Sequence, residues 1–587
     1  MAGSWSSRSC ALGHTRLSIL DLSDSARQPM VSEDGQTALV FNGEIYNFRE
    51  IRQGLKQNGC RFRTTSDTEA LLYLYPEKGL STPAALNGMF SFAVWDERKK
   101  RLFAARDRLG KKPFYYWQAG RRFGFSSELA SLIKYAEVPR ELNHQAMLEY
   151  LLYDFIPAPH TIFKGVRKLP AGHMLVFDPD GLKVTKYWDL PDQPGLWDYP
   201  DARAKLEELL EDAVRIRLVS DVPLGAFLSG GVDSTLVAAL MTRIAGERVK
   251  TFSISFPETS HDESRWSRLA AESLGTDHCE YPVRYEIESL FPLVVERFGE
   301  PFGDSSAIPT WRLCERTRRS VTVALSGDGG DELFGGYDRY LARRLQIAYD
   351  FLPRYLRERV IEPIIERLPA TTDYYGASLS KKLKLFACAA RRVRDNPLAT
   401  IPRTFSAAEV EALTGLRYDA SADPVIAAAR QWVGFDPVTR MLCSDLQTYL
   451  AEDILTKVDR MSMAHALEVR CPLLDHRIVE LAAGLPLDFK LKGFRSKRIL
   501  KDVALPRIPK AIVNRSKYGF QAPLGAWLKG ELRSWAAERL LDGDAPFFRR
   551  EMVERMWLEH IRGEADHAHK VWLLLVFNEW FRQLKDG

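Results

Sequence analysis

The sequence predicts a mixed α+β region followed by an α/β region built on a parallel sheet, and three observations carry that prediction. Residues 1–190 are dense in short β-branched and aromatic runs punctuated by Gly, Asn and Asp. After a Pro-, Gly- and Asp-rich stretch at 190–200 (LPDQPGLWDYP), short apolar strands alternate with amphipathic helices. From about Leu341 onward the apolar spacing is largely helical. A chain of 587 residues is too long for one ordinary core. It divides in this reading into residues 1–190, a linker at 191–205, a parallel-sheet region at 206–535 and a helical extension at 536–587.

In the first region, residues 37–41, 90–95, 101–105 and 114–117 read as strands, and residues 68–74 and 143–152 as helices. In the second, a helix at 201–218 leads into a strand at 222–228, a helix at 234–244, a strand at 249–256, a helix at 264–274 and a strand at 321–325. Strands separated by helices imply a parallel sheet covered on both faces. Residues 551–562 and 570–584 carry Trp, Leu and Phe at helical spacing, which marks packing faces rather than a cofactor box.

Composition narrows the class. Hydrophobic content of 45%, charged content of 27% and a net charge of +5 are those of an ordinary globular protein. No Lys/Arg block stands out as a nucleic-acid tail. The seven cysteines (Cys10, Cys60, Cys279, Cys314, Cys388, Cys443, Cys471) are scattered and form no CxxC pair, which argues against a disulfide framework or a zinc site. No apolar run has the length of a membrane span, and the first residues have no signal-peptide core. A cytoplasmic enzyme acting on small molecules is expected, with neither nucleic acid nor membrane as partner; a homodimer stays open.

The sharpest local signal is Ser229-Gly230-Gly231-Val232-Asp233-Ser234, between a strand and a helix. Glycines let backbone N–H groups turn toward an anion, and the helix start adds its positive end. Ser229 and Ser234 add hydroxyl donors. Asp233 has the wrong charge for phosphate unless a cation intervenes, so it reads as a Mg²⁺ ligand. An isolated SGG would be no more than a Gly-rich turn; the strand before it and the helix after it make an anion cradle the better reading.

A second loop, Ser326-Gly327-Asp328-Gly329-Gly330-Asp331-Glu332, follows the strand at 321–325 and should lie at the same sheet edge, where open α/β folds bind ligands. Its carboxylates repel unless cations offset them, which a Mg²⁺ shared by Asp233 and Asp331 would do. Alone it would read as a solvated acidic turn; two such loops on one edge favour a site.

These loops resemble the SGGxDS signature of the ATP pyrophosphatase superfamily and, taken together, the asparagine synthetase family. The resemblance implies an adenine nucleotide α-hydrolase-like sheet that binds ATP with Mg²⁺ and cleaves it between the α and β phosphates. It implies ATP or pyrophosphate contacts at Leu228, Ser229, Gly230, Gly231, Asp233, Ser234, Ile254, Ser326 and Gly327, and metal binding at Asp233 and Asp331. The family places glutamate where this chain has Asp328, one methylene shorter, and ties that carboxylate to forming the acyl-adenylate or handling its proton. A lysine serves pyrophosphate; Lys497 is the better match and Lys517 the second. The segments at 300–306 (EPFGDSS) and 453–475 resemble parts of the same family, the first bordering its acceptor site.

The first region resembles the class II glutamine amidotransferases, which implies an N-terminal-nucleophile αββα sandwich, here incomplete. Gly13-His14-Thr15-Arg16-Leu17, Phe41-Asn42-Gly43-Glu44-Ile45 and Ser66-Asp67-Thr68-Glu69 match its motifs. The match implies glutamine contacts at Arg16, Asn42, Gly43, Glu44 and Asp67. Without it, Asn42-Gly43 would read as a hairpin turn and His14 as a packed core residue. The family's nucleophile is an N-terminal cysteine, whereas residue 2 here is Ala2; Cys10 is too close to Arg16 to replace it, and a shortened N-terminus is expected.

The resemblance therefore implies ATP-dependent amidation of a carboxylate, aspartate first, through an acyl-adenylate, with nitrogen from glutamine or ammonia. Three alternatives remain at this stage: amidation of a sugar-acid or peptide carboxylate, ring closure of the β-lactam synthetase kind, and a non-catalytic nucleotide-binding relative.

Overall fold

The computed structural model describes residues 1–193, 195–257, 262–282, 287–368, 378–395, 398, 401, 403–515, 519, 522–541 and 546–586. Eleven strands fall before residue 190: β1 (Ala2–Ser6), β2 (Ala11–Thr15), β3 (Met30–Val31), β4 (Thr37–Ile45), β5 (Gly88–Asp96), β6 (Arg101–Arg106), β7 (Tyr115–Ala119), β8 (Arg122–Ser126), β9 (Val166–Lys168), β10 (His173–Asp178) and β11 (Gly181–Lys186). The first two form a separate hairpin. Six pair antiparallel in the order β11-β10-β6-β5-β4-β3, and three more in the order β8-β7-β9.

Side-chain alternation explains the layers. Helices Phe48–Gln57 and Asp67–Lys78 cover one face of the large sheet, burying Leu55, Leu71, Leu74 and Tyr75 against Phe41, Phe92 and Phe103. Its other face meets the small sheet through Val40, Trp95, Phe114 and Tyr116. Tyr115 and Trp117, one residue out of phase with Tyr116, point away onto helices Leu129–Leu132 and His144–Tyr153. This is the αββα sandwich the sequence predicts.

The second sheet is parallel throughout: β12 (Leu224–Phe227), β13 (Lys250–Ser255), β14 (Asp277–Pro282), β15 (Val323–Leu325) and β16 (Glu468–Arg470), in the order β14-β13-β12-β15-β16. The chain fills one side of β12 first and then crosses to the other. The loops after β12 and β15 therefore diverge from adjacent strands, the switch point at which open α/β sheets bind ligands. Sequence patterning misses β14 and β16. Two of the three residues of β16 are charged, and only their pairing with β15 and with buried partners makes a strand there.

Helices Leu524–Lys529, Arg550–Arg562 and Ala568–Asp586 share one core with Leu148, Leu151, Phe155 and Phe163 of the first region. Tyr150 donates to the Leu573 carbonyl at 2.8 Å. The helical end of the chain is thus packed both on the first region and on helices of the second such as Ile287–Phe298, whose Phe291 meets Trp572 at 5.0 Å. Among the described residues no helix is long and apolar enough to cross a membrane.

Candidate active site

The loop after β12 is cross-braced by its own hydroxyls. Ser229 Oγ lies 3.0 Å from Ser234 Oγ, Gly231 N–H donates to Ser229 Oγ at 3.3 Å, and Thr235 Oγ1 donates to the Gly231 carbonyl at 2.7 Å. Helix Val232–Ala245 begins at Gly231 without a side-chain cap, so its first N–H groups face the loop mouth. Gly230 and Trp266 sit back to back, and Arg515 donates to the Gly230 carbonyl at 3.1 Å while pairing with Glu263.

The second loop leans directly on the first. A Cβ at Gly327 would meet the Ser234 nitrogen at 2.6 Å, so only glycine allows the two backbones to come this close. Ser326 N–H donates to the Arg470 carbonyl at 2.9 Å, and Ser326 Oγ donates to Asp328 Oδ2 at 2.7 Å. Cys471 Sγ lies 3.4 Å from Ser326 Oγ and 3.9 Å from Asp328 Oδ2, with its thiol pushed up to about 12 by burial and by Asp328.

The carboxylates of the two loops converge on one cation. Lys497 Nζ lies 2.6 Å from Asp331 Oδ1 and also contacts Asp233 Oδ2. Lys497 is 4% exposed and sits at φ +51° at the start of helix Arg498–Ala504, a conformation that costs a non-glycine residue energy and is held here by its partners. Burial and the Lys497 charge lower the Lys501 ammonium. Leu228 is wholly buried and Ile254 is 8% exposed, so both side chains belong to the core, with their backbones at the strand ends. Lys517 lies outside the described residues.

Beside this centre, Lys457 Nζ holds Asp304 Oδ2 at 2.6 Å and Ser306 Oγ at 2.8 Å. Asp453 enters from a π-helical turn at Leu450–Ile454, and burial together with Asp304 holds its carboxyl well above the usual range.

In the first sandwich, Arg16 donates to the carbonyls of Leu20 at 2.6 Å and Asp21 at 2.9 Å; burial lowers its pKa, against the nearby charges of Asp67, Asp21 and Glu44. Asp67 Oδ2 accepts the Ile45 N–H at 2.9 Å; burial pushes its carboxyl up to about 6 against that hydrogen bond. Asn42 and Gly43 pair with Ser91 and Phe90 across β4–β5. Gly43 has φ +141°, and a Cβ there would lie 1.9 Å from the Met89 carbonyl oxygen. Far from marking a hairpin turn, Asn42-Gly43 lies inside a nine-residue strand. His14, half-buried rather than in the core, has Nε2 3.0 Å from the Phe41 carbonyl, and desolvation lowers its pKa to about 4. Cys10 closes the β1–β2 hairpin, and burial with Glu97 pushes its thiol up to about 12, the opposite of an activated nucleophile.

The two halves meet through buried ion pairs. Arg470 donates to the carbonyls of Arg217 and Val219 and to Glu468, and reaches Glu44 at 3.3 Å. Lys112 pairs with Asp459 at 2.7 Å, and Asp475, itself paired with Arg217 inside the second region, accepts a hydrogen bond from Asn87 Nδ2 at 3.0 Å. Between them lies a small cavity lined by Met89, Lys111, Lys112, Leu455, Asp459 and Cys471. The sequence marks the segment at 453–475 but not the individual parts of its Arg470 and Cys471, nor that of Arg515. Each is supplied by a segment more than 100 residues from its partner in the site, and no local spacing signals them.

Comparison with known proteins follows the same division. Residues 205–582 match the family model for asparagine synthase, and residues 1–188 that for a glutamine amidotransferase domain. A putative glutamine-hydrolysing asparagine synthetase of Mycobacterium tuberculosis is 34% identical over 99% of this chain and 90% of its own length. Glutamine-hydrolysing asparagine synthetase 1 of Bacillus subtilis is 29% identical over 97% of this chain and 89% of its own. The amidase chry2 of Gibberella zeae is 30% identical over 90% of this chain and 83% of its own. The expected N-terminal shortening is not borne out by alignments that run along nearly all of this chain.

Proposed function

This chain belongs to the asparagine synthase family, and we propose that its two-loop site joins ammonia to a carboxylate, aspartate first, after activating that carboxylate with ATP. It is an amide-forming ligase of the ATP-dependent kind. The observation that supports the site assignment is the convergence of Asp233 and Asp331 on Lys497 at the switch point of the parallel sheet.

Asp233 and Asp331 fit a Mg²⁺ ion. Mg²⁺ is held by one or two carboxylates together with phosphate oxygens, and two carboxylates face one point where the protein already places a positive charge. Among the described residues no cluster of three His, Cys, Asp or Glu forms a self-sufficient metal cage, so phosphate oxygens would complete the shell. When bound, the ion supplies charge neutralisation on the triphosphate.

The residues then divide the work. The N–H groups from Gly230 to Ser234 and the hydroxyls of Ser229 and Ser234 cradle the β and γ phosphates. The acceptor carboxylate attacks the α-phosphorus, and the bond to the β-bridging oxygen breaks. Lys497 moves from the carboxylates to the leaving pyrophosphate, where charge accumulates. Ammonia attacks the acyl carbon of the adenylate, AMP leaves, and Asp328 receives the surplus proton. Ammonia would approach through the cavity at Met89 and Cys471, which joins the surroundings of Glu44, the cross-strand partner of Met89, to Asp328.

A second acceptor class is favoured by Asp328 itself. Its carboxyl is bound back to Ser326 and is one methylene shorter than glutamate, which leaves room for a bulkier sugar-acid or peptide carboxylate. ATP–pyrophosphate exchange separates the readings: stimulation by aspartate supports the first, and stimulation only by a larger acid supports the second.

A further inference from the structure

The net charge of +5 is small for the whole chain but is not evenly spread. Residues 338–395 hold 13 Lys and Arg against 7 Asp and Glu, a net of +6, so the remainder of the chain carries −1. Asp338–Asp350 is a helix, Arg354–Glu366 is a helical run with a π-helical turn at Arg357–Ile361, and Leu379–Asp395 is a third helix.

The same segment exposes apolar side chains. Ten of the 22 large apolar residues that are exposed among the described residues fall between Leu345 and Leu385, 41 positions of the 587. Phe351 is 85% exposed, Tyr355 73%, Leu379 72% and Ile364 59%. Leu356, Val360 and Ile364 recur at the spacing of one helix face. The inward side is mixed: Ile365 and Ala390 are buried, Tyr349 packs edge-on against Phe386, and Glu362, 5% exposed, pairs with Arg391 at 3.7 Å. A surface that leaves Phe, Tyr, Leu and Ile side chains in water together over a few helical turns is an outer face built to be covered. Arg359, Arg367 and Lys382 are exposed around that face and form no ion pair among the described residues.

The occupant has to be apolar and anionic. A second copy would bring one +6 segment against another, and like charges at a desolvated interface oppose association. No described helix can span a bilayer, but a basic amphipathic face lies in the interfacial plane instead, with apolar residues among the acyl chains and Arg and Lys at the headgroups. We propose that the outer faces of residues 345–367 and 379–385 that carry Phe351, Ile364, Arg359 and Lys382 dock this enzyme on an anionic lipid bilayer. The helix that leads into this face starts at Asp338, directly after the Asp331 loop, so docking would hold the ligase site close to the membrane surface.

The test is sedimentation of the full 587-residue chain with vesicles of phosphatidylglycerol and phosphatidylcholine, against phosphatidylcholine alone. Binding is expected only to the anionic vesicles and should weaken as salt rises. Phe351→Glu with Ile364→Glu, and separately Arg359→Glu with Lys382→Glu, should each weaken partition by about tenfold or more. Circular dichroism and ATP-dependent AMP release in solution should stay unchanged, since none of the four residues touches the two loops. Three results overturn the proposal: no binding to anionic vesicles at low salt, equal binding by the variants, or a dimer that the same substitutions dissociate. Retention on an acidic polypeptide with none on vesicles would assign the face to a protein partner instead.

Discussion

Arg470 reaches across the boundary between the two halves and meets the Glu44 carboxylate at 3.3 Å, with both side chains buried. Its backbone carbonyl at the same time receives the Ser326 N–H of the second phosphate-side loop. One residue is therefore fixed at one end by the first sandwich and at the other by the ligase site. Tyr46 packs beneath it and beneath Arg217, 5.8 Å and 4.2 Å from the two guanidinium carbons.

Arg470→Met should destabilise the chain by about 3–5 kcal/mol, because it strands Glu44 and Glu468 in a buried site without their counter-ion. Adding Glu44→Gln should restore part of that loss. Urea unfolding followed by tryptophan fluorescence checks both. A single variant as stable as the parent would mean that water already screens Glu44.

Asp233→Asn and Asp331→Asn should each lower ATP–pyrophosphate exchange by at least about a hundredfold, the scale of losing one electrostatic contact made in the transition state. Exchange measured against Mg²⁺ concentration is the check. Near-parental exchange in either variant would remove that residue from the metal site.

Lys497→Met leaves Asp233 and Asp331 facing one another without their shared ammonium. Thermal stability without Mg²⁺ should fall, and added Mg²⁺ should recover it more strongly in the variant than in the parent. Pyrophosphate formation should drop by about a hundredfold or more. A variant whose melting temperature ignores Mg²⁺ would argue that the two carboxylates do not share an ion.

Burial and the neighbouring Arg217 lower the Lys111 ammonium to about 8, while its Nζ donates to the Leu474 carbonyl at 2.8 Å. A lysine whose folded pKa is depressed binds fewer protons folded than unfolded between the two values. Its burial cost is therefore present below pH 8 and fades as pH rises toward 10.5. Lys111→Met should stabilise the chain at pH 7 by about 1–2 kcal/mol, the relieved burial less one hydrogen bond. That gain should shrink between pH 8 and pH 10, as denaturation series at stepped pH would read.

The 587-residue chain should release AMP with ammonium chloride and show negligible glutamine hydrolysis. Its thiol nearest the Arg16 motif, Cys10, is held protonated by burial. Ammonia-driven turnover should be unaffected by Cys10→Ser. Glutamine hydrolysis that disappears in Cys10→Ser would assign Cys10 the nucleophile's part.

Much of the site was legible in the residues themselves. Ser229–Ser234 and Ser326–Asp331 are contiguous, and their glycines, hydroxyls and carboxylates are set by local backbone needs that one sequence displays. The strands that carry them, at 222–228 and 321–325, emerge two or three residues shorter, as β12 and β15. Where local pattern carried a wrong message it was also local: Asn42-Gly43 has the composition of a hairpin turn, yet it occupies mid-strand because Gly43 lets the Met89 carbonyl approach.

The sequence by itself determined which chemical groups stand at the ends of β12 and β15 and that a strand-rich region precedes them, because helix periods, strand runs and glycine turns are written within a few residues. Only the tertiary structure decided that Lys497 closes over both aspartates, that Arg470 joins Glu44 to the Ser326 loop, and that Cys471 stands beside Asp328. Each depends on strand order in the parallel sheet, where β16 comes to lie beside β15 from 143 residues away. Pairings of that range are chosen by the burial and charge compensation of the whole core, which no short window of sequence contains.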